Sequence, residues 1–240
     1  MKFYFIGGLG SNKNHMTEFA SYFPFPITYL DPYRVKLESA KNIVDWFKAH
    51  ADSNENTCII AHSLGGDLAR YLASKMPQIT RLVLLDGGYL DMDQILPLEQ
   101  EIEETLAYLK QQVFPSLEEA VASELGDTDN PSQATVKAIQ SSYRWNPDLH
   151  HYELDLDPQA VLSLLRVRRE LRSFQAPLTD TKALFIGPKY EDEPDWRTRA
   201  LENLDPSIMK LLLKDLSHDF YTAVPNLVSK EIINWLQICS

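Results

Sequence analysis

Six short apolar runs, each leading within two residues into a Gly, Asp, Ser or His, do most to limit what this chain can become: residues 3–6, 27–30, 58–61, 82–85, 183–186 and 209–213. Short runs without polar alternation mark strands buried on both faces, as in a parallel sheet. Amphipathic stretches follow most of them. Residues 39–50 put Ile43, Val44 and Phe47 on one helical face, and residues 67–76 do the same with Leu68, Leu72 and Ala73. Strand and helix taking turns in this way predicts an α/β fold, a mostly parallel sheet flanked by helices through right-handed crossovers.

One interval breaks the rhythm. From about Tyr89 to Asp180 no convincing strand is found, only helical patterns. Residues 96–113 are rich in Glu, Gln and Leu. Pro115-Ser116-Leu117-Glu118-Glu119 offers a capped helix start that Gly126 can end. Asn130-Pro131-Ser132 starts a third helix, and Asp157-Pro158 leads into a fourth over 159–171, with Val161, Leu164 and Leu165 in register. Residues 126–130 are the most linker-like stretch. The reading is a core of residues 1–88 and 181–240, with a helical cap inserted at 89–180.

The formal charge of −11 comes without any Lys/Arg cluster, so no nucleic-acid footprint is present. With 44% hydrophobic residues over 240 positions, the chain can bury a sizeable core without staples. Cys58 and Cys239 are too few for a disulfide framework or a metal-ligand cluster, and no metal or organic cofactor is expected. No stretch reaches the roughly 20 apolar residues of a membrane span, and the N-terminus lacks a signal-like core. A cytoplasmic protein is the expectation. Nothing in the sequence sets an oligomeric state.

The chemistry concentrates at Ala61-His62-Ser63-Leu64-Gly65, which lies between the run 58–61 and the amphipathic stretch 67–76. A serine hydroxyl becomes a nucleophile only when exposed, aligned and given a base. A sharp strand-to-helix turn does the first two. It strains the backbone at Ser63, which requires small residues two positions away on either side, here Ala61 and Gly65. The following helix aims its N-terminal amides at the point where negative charge develops.

On these residues the chain resembles the α/β-hydrolase superfamily, in particular its small capped esterase-like serine hydrolases. The resemblance covers nearly the whole chain. In that family a β-hairpin normally precedes the oxyanion strand, whereas this sequence starts on that strand at Lys2, which implies a trimmed sheet of about six strands. Gly7-Gly8-Leu9-Gly10-Ser11 sits where the family carries its oxyanion loop, with Gly7 replacing the usual His. The resemblance implies that the backbone N–H groups of Leu9 and Leu64 form the oxyanion hole.

Family order puts the base after the last strand, where Ser217-His218-Asp219 holds the one histidine beyond the insertion. The acid that orients it has two candidate places. Asp86 ends the run 82–85 and is followed by Gly87-Gly88; Glu191 and Asp192 lie in the loop after 183–186. The usual family position falls on Tyr190, which carries no carboxylate. A carboxylate closing a buried strand needs a reason to be there, and Asp86 is the preferred assignment.

The implied reaction is hydrolysis of a carboxylic ester or thioester of a small apolar molecule, through an acyl-enzyme on Ser63. Gly8, Tyr89, Tyr143, Trp145 and Phe220, with Leu90 and Leu162, are candidates for the substrate site. Acyl transfer, carbon–carbon bond hydrolysis and a non-catalytic binding role are the rival readings, since the fold alone does not choose among them.

Overall fold

Each of the six apolar runs is a β-strand in the computed structural model, which describes residues 1–51, 55–126 and 131–239. The chain runs from β1 (Lys2–Ile6) through α1 (Thr17–Ser21) to β2 (Ile27–Leu30), then α2 (Ala40–His50), β3 (Thr57–His62), α3 (Leu64–Lys75) and β4 (Ile79–Leu85). There follow α4 (Leu98–Gln111), β5 (Val113–Phe114), α5 (Leu117–Leu125), α6 (Gln133–Gln140), β6 (Tyr143–Asn146), β7 (His151–Leu154) and α7 (Pro158–Leu171). The chain closes with β8 (Lys182–Lys189), α8 (Asp195–Glu202), β9 (Ile208–Lys214), α9 (Phe220–Ala223) and α10 (Pro225–Ile238).

The main sheet has six strands in the order β2-β1-β3-β4-β8-β9, and every neighbouring pair is parallel. The chain steps outward from β1 to β2, then crosses back to β3 on the other side of β1. That reversal opens a crevice at the C-terminal ends of β1 and β3, the place where open α/β sheets take their ligands. Gly7 and Ser63 stand at its two lips.

Strand alternation divides the core into two layers. Tyr4, Ile6, Ile59, Ala61, Leu82 and Leu84 face one way, onto the apolar stripes of α2, α3 and α7. Phe3, Phe5, Cys58, Ile60, Val83 and Leu85 face the other, onto Phe19 of α1 and Val228, Ile232 and Trp235 of α10. Residues such as Ile59 and Ile60 have no exposed surface, so truncating either to Ala costs about 2–5 kcal/mol. Burial pushes the Cys58 thiol up to about 12, so it stays protonated.

Several local signals act as read. Ser39 Oγ accepts from Asn42 N at 3.2 Å to start α2. Ser116 Oγ accepts from Glu119 N at 3.2 Å to start α5, which Gly126 ends at φ 51°. Ser132 and Asp157 cap α6 and α7. Asn130 and the other residues of the linker-like stretch beyond Gly126 lie outside the described residues.

The stretch 89–180 is not purely helical, which corrects the strand-free reading. A three-stranded antiparallel sheet, β5-β7-β6, lies within it. Its strands are short and carry Arg144, Asn146, His151 and Glu153, so no continuous apolar run announces them. Cross-strand pairs hold the register instead: Arg144 Nη2 donates to Glu153 Oε1 at 2.9 Å, and the Trp145 and Tyr152 rings meet edge-on at 5.0 Å. Ala120, Ile139, Tyr143 and Leu154 form a small core of their own there, while α7 packs into the main layer. Among the described residues no helix is long and apolar enough to cross a membrane.

Candidate active site

Ser63 joins β3 to α3 at φ 53°, ψ −126°, a conformation that costs a non-glycine residue on the order of 1–3 kcal/mol. Asp86, after β4, has φ 44°, and Asp215, after β9, has φ 57°. Three of the six sheet strands thus end in strained non-glycine residues, all at the crevice end. The surroundings hold the strain at Ser63. Its N–H donates to Leu85 O at 3.1 Å, and its carbonyl accepts from Gly66 N at 2.9 Å. A Cβ on Gly65 would lie 2.4 Å from Ile6 O, and one on Gly87 would lie 2.1 Å from Ser63 O. Glycine after Asp86 is therefore what lets β4 pass directly beneath the turn.

His218, beyond β9, reaches the end of β4. Its Nδ1 lies 2.8 Å from Asp86 Oδ2. The other carboxylate oxygen accepts from Tyr89 OH and from Arg197 Nη2, each at 3.1 Å. Arg197, at 2% exposure, also donates to Tyr89 OH at 3.0 Å, to Pro188 O at 2.9 Å and to Glu193. Burial pushes the Asp86 carboxyl up, but the His218 and Arg197 partners outweigh it and hold it below its ordinary value. Burial pulls His218 down, while the bond and charge of Asp86, with Asp219 adding, leave it above the ordinary histidine value. Glu191 and Asp192 are exposed on the loop after β8, and it is Glu193 that turns inward, to Arg197 rather than to His218.

The loop Gly7–Ser11 covers Ser63. A Cβ on Gly8 would sit 3.0 Å from Ser63 Cβ and 2.9 Å from His62 Nδ1, so the loop backbone at Gly8 passes against the serine. Leu64 is the first residue of α3, and its N–H has no acceptor within the helix. Two tyrosines hold this loop. Tyr33 OH, fully buried, donates to Gly7 O at 3.0 Å, and Tyr29 OH donates to Ser11 O at 3.0 Å. Ser11 Oγ in turn donates to Gly8 O at 2.9 Å.

His62 is buried beside the serine, its ring 4.6 Å from that of His218. Its Nε2 lies 3.1 Å from His218 O, which can only accept, so the proton is assigned to Nε2. Burial drops its pKa to about 4, and it is neutral above that.

A cavity of about 710 Å³ adjoins this group, lined by Leu9, Tyr143 and Leu154 and by Ser217 and Asp219 on either side of His218. Of the aromatic residues expected at the substrate site, Tyr143 lines this cavity, and its hydroxyl lies 2.8 Å from both Gln112 Oε1 and Glu124 Oε1. The others stand elsewhere. Phe220 has no exposed surface and packs in the α10 layer. Trp145 is on the outer side of the small sheet, 46% exposed. Tyr89 is a partner of Asp86, and Leu162 belongs to the main core. Among the described residues no group of three or more His, Cys, Asp or Glu side chains is placed to hold a metal ion.

Sequence reasoning passed over Arg197, Tyr29, Tyr33 and Glu193. Arg197 lies in a polar stretch 111 positions from Asp86, with no local signal of burial. Tyr33 follows Asp31-Pro32, a turn whose Asp31 side chain accepts from Tyr33 N, and that signal marks a turn but not its target.

No family model matches the chain, and no curated protein sequence matches it significantly. Solved structures do. The chain is similar to E-2-(acetamidomethylene)succinate hydrolase with a TM-score of 0.74 at 16% identity, over 98% of this chain and 91% of that one. An esterase of Mycobacterium tuberculosis gives 0.67 at 14% identity, covering 98% and 85%. The thioesterase domain from the curacin biosynthetic pathway gives 0.65 at 14%, covering 96% and 89%. The chain has the α/β-hydrolase fold.

Proposed function

We propose that the protein is a serine hydrolase that cleaves a carboxylic ester or thioester of a small molecule. The observation that carries this reading is the 2.8 Å contact between His218 Nδ1 and Asp86 Oδ2, at the crevice where Ser63 is held in its strained turn. In this reading Ser63 Oγ attacks the carbonyl carbon and His218 Nε2 takes its proton. Asp86 keeps the imidazole in the required tautomer and stabilises the imidazolium. The amides of Leu9 and Leu64 hold the oxyanion. His218 then protonates the leaving group, and water, deprotonated by the same ring, releases the acid from the acyl-enzyme. Within the inserted stretch 89–180, residues 98–126 and 131–154 act as the cap, and the cavity beneath them receives the apolar part of the substrate on Leu9 and Leu154. No organic cofactor enters this chemistry, and a cytoplasmic location fits it.

A fluorophosphonate probe tests the reading. Folded wild-type protein is labelled, and Ser63→Ala is not. Absence of labelling in the wild type, or labelling that persists in Ser63→Ala, refutes it.

A further inference from the structure

A second cavity, of about 330 Å³, lies between α3, the segment after β4, and α8, with Tyr89, the partner of Asp86, in its wall. It shares no lining residue with the larger cavity beside His218. Its inner wall holds Arg70 of α3, which is 2% exposed. Arg197 is buried to the same degree but carries Asp86 and Glu193 on its guanidinium. Arg70 has no ion-pair partner among the described residues. It gives one hydrogen bond, Nη1 to Gly88 O at 3.0 Å, and its buried Nε has no acceptor. Asp67, one turn earlier on the same helix, is taken by Ser173 Oγ at 2.7 Å.

A buried, unpaired guanidinium is among the most expensive groups a fold can carry, and such charges are found paired or neutralised by a ligand. Burial pulls Arg70 below the ordinary arginine value, outweighing the opposing charges of Asp205 and Asp67. The cavity next to it offers what an anion needs. Arg199 supplies a second cation at the rim, and Gln94, Gln175 and Asn203 supply amide donors. The one lining carboxylate, Asp91, has its oxygens occupied by Asp93 N at 3.2 Å and Gln94 Nε2 at 2.8 Å. Two arginines against one aspartate leave a net charge of one, in a chain whose formal charge is −11. Phe174 and Leu204 give the same cavity an apolar wall.

We propose that this cavity is a binding site for a small organic monocarboxylate, held by the Arg70 guanidinium with its hydrocarbon part against Phe174 and Leu204. A guanidinium fork matches a carboxylate in shape as well as charge. The single net charge and the apolar wall favour such a ligand over inorganic phosphate, which has nothing to place on Phe174.

Calorimetry and thermal melting with hexanoate, benzoate and inorganic phosphate test this, on wild-type protein and on Ser63→Ala. Binding does not require turnover, so its outcome is independent of the hydrolase reading. Hexanoate or benzoate binds saturably and raises Tm in both proteins. Arg70→Met abolishes the effect. Arg199→Ala, at the exposed rim, folds normally and weakens binding about tenfold. If Arg70→Met fails to fold, Arg199→Ala decides. Failure of both carboxylates to bind, unchanged affinity in both arginine variants, or binding of phosphate alone overturns the proposal.

Discussion

Asp86 Oδ2 lies 2.8 Å from His218 Nδ1, across 132 positions of sequence, while the same carboxylate's Oδ1 is tied to Arg197 and Tyr89. Both oxygens are therefore fixed, and so is the direction in which the carboxylate faces the imidazole. The amide of Asp86 is anchored as well, donating to Ile186 O at 2.8 Å. A carboxylate held this way can orient its partner without moving.

The first prediction concerns that carboxylate. Asp86→Asn keeps the shape but presents an amide to Nδ1 and favours the wrong tautomer. It is expected to lower kcat for p-nitrophenyl acetate by about 10³–10⁴-fold. Glu191→Gln and Asp192→Asn, on the exposed loop, should stay within about twofold of wild type. A large loss in either of these, with Asp86→Asn active, would reverse the assignment.

The second follows from Arg197. Its positive charge disfavours the imidazolium of His218, whereas Asp86 and Asp219 favour it, with the net result above the ordinary histidine value. In wild type, kcat/KM should rise with pH as His218 loses its proton, through an apparent pKa above 6.5. Arg197→Met removes the opposing charge, so this acidic limb should move to higher pH. A purely structural role for Arg197 would lower the plateau and leave the limb in place. The linkage to stability has a definite sign. His218, raised on folding, contributes stability that is fully present below pH 6.5 and lost as pH rises through its folded value. Asp86, depressed on folding, contributes stability above about pH 3.8 that is lost as pH falls through its lower folded value.

The third concerns the loop over Ser63. Tyr33→Phe leaves the buried Gly7 carbonyl without its donor, a change that costs about 1–3 kcal/mol. Because Gly7 precedes the residues that lie against Ser63, the loss should appear in kcat more than in KM, as expected when an oxyanion donor drifts from its place. Paired kcat and KM values with a melting curve check this. A variant destabilised to that extent but with unchanged kcat would show that Tyr33 supports the fold and not the oxyanion loop.

What the sequence disclosed and what it hid follow from the range over which each signal acts. β1, β3, β4 and β8 are covered on both faces, so burial writes them as apolar runs, while the edge strands β2 and β9 keep apolar runs although only part of each is buried. β6 and β7 are partly solvated, and their pairing depends on Arg144 with Glu153 and on Asn146, whose Oδ1 accepts from Asp148 N at 3.1 Å to turn the hairpin. Asp86 was conspicuous because a carboxylate followed by two glycines is out of place at a buried strand end. Arg197 was not, since its reason lies in partners brought by other elements. Aromatic identity proved a weak guide: Phe220, Trp145 and Tyr143 are similar in sequence terms, yet one is core, one is rim and one lines the cavity.

The last prediction separates two glycines by the physics each obeys. Gly87→Ala would drive a Cβ to 2.1 Å from Ser63 O, with backbone on both sides and no flexible side chain to yield. Gly10 sits at φ 81° with nothing within 4 Å of its would-be Cβ. Alanine at position 10 therefore carries only the conformational cost of the left-handed region, about 1–2 kcal/mol. At position 87 the overpacking cost is about 3 kcal/mol, and it is exerted directly on the serine backbone. Gly87→Ala should lose fluorophosphonate labelling even at temperatures where circular dichroism shows it folded, because β4 can be relieved only by shifting Ser63. Gly10→Ala should melt earlier than wild type yet be labelled when folded. Equal labelling of the two folded variants would mean that the contact between Gly87 and Ser63 does not set the position of the serine.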